Sequence, residues 1–166
     1  MELAAGDAER AYRALAEGAE VLASSSETGY LATVLSMQAK AALELGREDE
    51  AMRLTDKARE LATVDDVDPI ARDCLVRARV AARHGDFAGA GELVAAAREL
   101  IEPTDFANLH FDLAFTRAEI ARLAGQADEE REALAEVLAL AEAKGHTVLA
   151  ERGHAELAAM DNGGDR

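Results

Sequence analysis

The sequence predicts an all-α fold, an α-solenoid of stacked antiparallel helix hairpins with a period of about 40 residues. Three observations carry this. Gly6, Gly46, Gly85 and Gly125 stand 40, 39 and 40 residues apart. Alanines travel with them: Ala39, Ala78 and Ala118 seven residues before the last three glycines, Ala42, Ala81 and Ala121 four before, and Ala11, Ala51 and Ala90 five after the first three. Aromatics make up only 4% of a chain that is 49% hydrophobic, so the interior has to be built from Ala, Leu and Val. Small interior residues let helix axes come close, which suits hairpins that cover one another's apolar faces in turn.

Apolar residues recurring at three- and four-residue spacing predict eight helices, over 8–22, 31–45, 51–62, 70–82, 93–101, 109–123, 134–141 and 148–159. The first follows Gly6 and is the B helix of a partial repeat, 1–27. The polar link Ser24 to Thr28 leads into the A helix ending at Gly46, and the B helix after it completes repeat 28–67. Asp68 before Pro69 reads as an N-cap with proline at the first helical position, opening repeat 68–105 around Gly85. After Glu102-Pro103-Thr104-Asp105, with Asp105 as the expected cap before Phe106, comes repeat 106–144 around Gly125. Gly145 closes its last helix at Lys144, a capping helix fills 146–160, and 161–166 reads as a disordered tail. Each repeated glycine falls between A and B helices, where tolerance of positive φ lets the chain end one helix and turn back.

Ala39, Gly46, Ala51 and Ala58, repeated as Ala78, Gly85, Ala90 and Ala97, resemble the small-residue frame of a tetratricopeptide repeat, with a period longer than the 34 residues of the standard unit. The resemblance implies a right-handed superhelix whose A helices line a concave groove. More narrowly, Glu27-Thr28-Gly29-Tyr30-Leu31 with Leu45-Gly46-Arg47-Glu48-Asp49-Glu50-Ala51, and Thr104-Asp105-Phe106-Ala107-Asn108-Leu109 with Arg122-Leu123-Ala124-Gly125, are similar to the C-terminal repeat regions of bacterial adenylate/guanylate cyclases and large ATP-binding transcriptional regulators. The last repeat departs from the frame, with Glu130 and Val137 at alanine positions. Met1 to Ala5 is too short for an A helix, so the chain is expected to begin inside a repeat of a longer protein. The uncovered face of the first helix, with Ala11, Leu15 and Leu22, is then a candidate for self-association.

A formal charge of −15 opposes contact with nucleic acid and anionic membranes. One cysteine, Cys74, allows no internal disulfide and, with no signal peptide, points to a reducing cytoplasm. Cys74 reads as a buried, inert thiol. The four histidines share no ligand spacing, and a single Glu151-x-x-His154 falls short of a bundle metal site. No phosphate loop, HExxH or nucleophile elbow occurs, so neither catalysis nor a cofactor is expected.

One constellation stands out. Arg72, Arg79 and Arg83 share a face of the third A helix, and the resemblance places that face in the groove. Asp112 and Glu119 hold, relative to Gly125, the offsets that Arg72 and Arg79 hold relative to Gly85, so Arg72 with Asp112 and Arg79 with Glu119 are expected to form a ladder between adjacent A helices. Leu123 occupies the offset of Arg83, which is expected to stay free for an incoming carboxylate. Lys40 and Phe115 complete the expected partner-binding set, and Tyr30 and Phe111 offer further apolar contact. The function expected is a non-catalytic protein or peptide interaction module. The alternative is an effector-sensing domain that binds a small molecule or short peptide in the groove.

Overall fold

The computed structural model describes residues 7–24 and 28–163. Gly6, the partial A helix before it, most of the Ser24–Thr28 link and residues 164–166 lie outside the described residues. Eight α-helices and no strands occur among the described residues: α1 (Ala8–Ala23), α2 (Thr28–Glu44), α3 (Glu48–Leu61), α4 (Val67–Arg83), α5 (Phe87–Ile101), α6 (Ala107–Leu123), α7 (Ala127–Lys144) and α8 (Thr147–Gly163). The fold is all-α. Helices α2 and α3, α4 and α5, and α6 and α7 pack as hairpins, while α2, α4 and α6 also pack on one another in succession. Helix α1 packs on α2, and α8 on α7.

The glycines make the turns. Gly46, Gly85, Gly125 and Gly145 all have positive φ, between 68° and 84°. At each, the amide after the glycine donates to the carbonyl five residues earlier: Arg47 to Ala42, Asp86 to Ala81 and Gln126 to Ala121, with His146 to Ala141 as the fourth, all at 2.9 Å. The glycine amide donates to the carbonyl three residues earlier, to Leu43 in the first turn and Ala82 in the second. This double bond pattern satisfies the orphan carbonyls of a helix C-terminus and requires the left-handed residue between them. The alanine four before each glycine thus supplies the carbonyl that closes the turn.

The frame alanines mark the crossings. Ala39, Ala78, Ala51, Ala90, Ala58 and Ala97 are all fully buried. Apolar packing is divided into successive clusters: Ala19, Leu31, Leu35 and Ala58 join α1, α2 and α3, while Ala71, Leu75, Ala97, Ile101 and Leu109 join α4, α5 and α6. Each hairpin therefore finishes its core only with the next helix. Where the frame lapses, larger groups take the place of alanine: Val137 is fully buried and Glu130 nearly so, burial pushing the Glu130 carboxyl up. Helix α8 comes close to α7 at Gly153, where an added Cβ would stand 3.0 Å from Leu138.

Several local expectations are corrected. Helix α4 begins at Val67 with Asp66 in the cap position, and Asp68 instead holds Arg72 through a side-chain ion pair at 2.9 Å. Phe106, not Asp105, occupies the cap of α6, and its amide donates to the Thr104 hydroxyl. Helix α5 starts at Phe87, well before the expected 93, because the Asp86 carboxylate accepts from the Gly89 amide and anchors a glycine-containing first turn. Helix α7 starts at Ala127, before the expected 134, its charged first turn of Asp128, Glu129 and Glu130 complementing the helix dipole. Helix α8 extends into the expected tail, where Asp161 pairs with Arg131 at 3.0 Å. Ala11 is buried against the rest of the chain, and Leu15 and Leu22 are half-buried. Helix α1 meets α2 and α3 through Ala19 and Leu22, which join Leu31, Leu35 and Ala58, and Tyr12 donates to Glu50 of α3 at 2.6 Å.

Placing a Cβ at the left-handed turn costs about 1–2 kcal/mol. Gly85→Ala is therefore expected to lower unfolding stability by that amount in urea titration. Gly91→Ala, in the exposed middle of α5 with no atom within 4 Å of the new carbon, should instead stabilise by up to about 1 kcal/mol.

Candidate functional site

Four helices converge on a cavity of about 230 Å³. Helix α4 presents Arg72, Leu75, Val76, Arg79 and Arg83, which recur with helical period along one stripe. Helix α6 answers with Asp112, Phe115, Thr116, Glu119 and Arg122. Lys40 and Glu44 enter from α2, and Arg152 and Glu156 from α8.

The expected ladder forms. Arg72 pairs with Asp112, and Arg79 with Glu119, across the α4–α6 contact. Lys40 also reaches Asp112, and Arg79 donates to Glu44 at 3.1 Å, so the same two rungs tie α2 to the other helices. Arg72 and Arg79 are only 6% and 7% exposed, which makes these pairs interior rather than surface contacts. Burial alone would push the Asp112 carboxyl up, but the charges and hydrogen bonds of Lys40 and Arg72 outweigh it and hold it below the ordinary aspartate range. Glu44 behaves likewise, its burial outweighed by Arg79 and Arg152. Arg72 and Arg79 are pulled down by burial but end raised, because Asp112 with Asp68, and Glu44 with Glu119, face them. All four groups stay charged at neutral pH.

Arg83 is not free, and this corrects the expectation. Its Nε and Nη2 donate to Glu119 at 3.0 and 2.8 Å, and its Nη1 to the Leu43 carbonyl at 3.2 Å and towards Glu48 at 3.5 Å. Arg83 lies one turn from Arg79, so both guanidiniums reach the same carboxylate; an offset rule that matches residues at equal height misses a shared acid. Phe111 is unavailable as well, being fully buried edge-on against His146. Tyr30 is 70% exposed but does not line the cavity. Phe115 does line it, with the Arg152 guanidinium 4.2 Å above its ring centroid.

Sequence reasoning missed Arg122, Arg152 and Glu156. Arg122 continues the Phe115–Glu119 stripe by one turn and makes no ion pair among the described residues. Arg152 and Glu156 carry the i,i+4 signal of a helix-surface pair and bond at 2.9 Å. Their place became visible only once α8 was seen to lie beside α6. Cys74 is buried as expected, and burial pushes its thiol up. No group of three or more potential metal ligands occurs among the described residues, and none of the described helices is long and apolar enough to cross a membrane.

No protein-family model, curated protein or solved structure matches the chain. The functional reading of this face rests on its geometry and charge.

Removing one member of a buried pair leaves the other charged and poorly solvated, at a cost of about 3–5 kcal/mol. Asp112→Asn should lower unfolding stability by roughly 3 kcal/mol, since Asp68 still serves Arg72. Because the folded-state pKa of Asp112 is depressed, its contribution is present at neutral pH and lost as pH falls through that lowered value. Acid titration of stability below about pH 4 should thus be shallower for Asp112→Asn than for the native chain.

Proposed function

We propose that the chain is a non-catalytic protein- or peptide-binding module, a tetratricopeptide-like α-solenoid whose A-helix face receives an acidic segment of a partner. One observation carries the reading: five arginines converge on one cavity of a chain whose formal charge is −15, and two of them, Arg122 and Arg152, keep guanidinium donors beyond the ion pairs made among the described residues. A guanidinium-rich pocket in an acidic protein suits carboxylate recognition through charge-assisted hydrogen bonds. The repeat frame and the motifs at Thr28 to Ala51 and Thr104 to Gly125 support a parent of the bacterial signalling or transcription-regulator type, working in the cytoplasm. The acidic exterior argues against nucleic acid or a membrane as partner.

A second reading, an effector-sensing domain, is favoured by the apolar walls. Leu75, Val76 and Phe115 stand among the charged groups, and Arg152 from α8 overhangs Phe115. A pocket with apolar walls and a few convergent polar groups is the usual form of a small-molecule site.

Fluorescence titration with a labelled Glu- and Asp-rich peptide, against the same peptide with Gln and Asn, tests the principal reading. The acidic peptide is expected to bind at least about tenfold more tightly, the worth of one charge-assisted hydrogen bond. Arg152→Ala should remove most of that preference. Equal affinities for the two peptides would remove the reading.

A further inference from the structure

We propose that the cavity between α4, α6 and α8 holds a short aliphatic dicarboxylate, anchored by Arg122 and Arg152 with the Thr116 hydroxyl as a third contact. This rests on the reading of the same face as an acceptor of acidic ligands and names the chemical class it takes. With Asp68 and Glu48 pairing to Arg72 and Arg83 from just outside the lining, the charges around the cavity balance, so the ligand's two carboxylates answer the two guanidiniums that keep donors to spare, Arg122 and Arg152. Lys40, Arg72, Arg79 and Arg83 are committed to Asp112, Glu44 and Glu119. Among the described residues the remaining donors are on Arg122, which has no ion pair, and Arg152, which pairs with Glu156 at 2.9 Å. Arg122 is nevertheless within electrostatic reach of Glu130 on α7, and Arg152 of Glu44 on α2.

Thr116 supplies an independent observation. It lines the cavity, where its hydroxyl stands accessible to a ligand oxygen. The volume of about 230 Å³ lies below the range of about 300–1,000 Å³ typical for drug-sized ligands, so the occupant is no larger than an amino acid or so. Leu75, Val76 and Phe115 give it apolar walls. Inorganic phosphate or sulfate has no surface to set against those walls, whereas the methylenes of a dicarboxylate do. Because Arg122 and Thr116 belong to α6 and Arg152 to α8, the bound dianion bridges two helices that share no direct ion pair among the described residues.

Calorimetric titration of the full chain with glutarate tests this, with butyrate and sulfate as controls. Glutarate is expected to bind at least roughly tenfold more tightly than either control, and to increase hydrogen-exchange protection of α8. Arg122→Ala and Arg152→Ala should each weaken it by roughly tenfold to a hundredfold, with Arg122→Lys recovering part of the loss and Thr116→Val weakening it severalfold. Circular dichroism of each variant separates lost binding from lost folding. Sulfate binding as tightly as glutarate, or no glutarate binding at millimolar concentration, overturns the proposal. If the acidic peptide binds in an Arg152-dependent way while glutarate does not, only the dicarboxylate falls; if neither binds, the acidic-ligand reading falls with it.

Discussion

The alanines at the helix crossings fix the distance at which every other contact is made. With Ala39, Ala51, Ala78 and Ala90 fully buried, the two helices of a hairpin meet nearly backbone to backbone. A larger side chain there would force strain into a closely packed interior. Close crossings leave little volume for one central core, so apolar burial is spread through clusters that each span a hairpin and its neighbour. The order of assembly is then written into the packing, because α2, α4 and α6 must touch one another for each hairpin to finish its burial.

That contact brings together the longest polar side chains of the fold. Arg72 and Arg79 on α4 meet Asp112 and Glu119 on α6 and Glu44 on α2. Desolvating such groups is costly, and a well-paired interior ion pair contributes little net stability compared with apolar residues of the same shape. What the pairs enforce here is register: sliding α6 against α4 by one turn would move Asp112 and Glu119 away from their partners and leave Arg72 with Asp68 alone and Arg79 with Glu44 alone. The alanine frame brings the helices close without fixing their longitudinal position, and the ladder supplies that position.

The all-α class, the eight helices of the described residues and the four turn glycines were legible in the sequence because each rests on a short-range rule: apolar periodicity, or positive φ at a fixed offset. The two rungs were legible because equal offsets from Gly85 and Gly125 place residues side by side in neighbouring units. The same rule failed for Arg83, since a guanidinium is long enough to reach an acid one turn away and Glu119 has oxygens for two partners. It failed for Arg122 and Arg152 because α8 stands outside the repeat, so no offset relates its residues to α6. The caps at Asp66 and Phe106 show another limit: the chain enters both helices without a side-chain cap, and a favourable Asp nearby found other work in its ion pair with Arg72.

The contrast between exterior and cavity shapes how any acidic ligand arrives. At physiological ionic strength charges are screened over about 8 Å, so a ligand at longer range meets the acidic exterior and is not drawn in by the arginines. Attraction begins only near the cavity mouth, where lower local dielectric strengthens each guanidinium contact. Moderate salt weakens the long-range repulsion more than the partly buried contacts, so it should speed association before it lowers affinity. An exposed basic patch behaves oppositely, losing rate and affinity together as salt rises. Recognition at this face thus depends on short-range fit, with Arg72, Arg79 and Arg83 held in place by carboxylates of the chain and Arg122 and Arg152 left to meet the ligand.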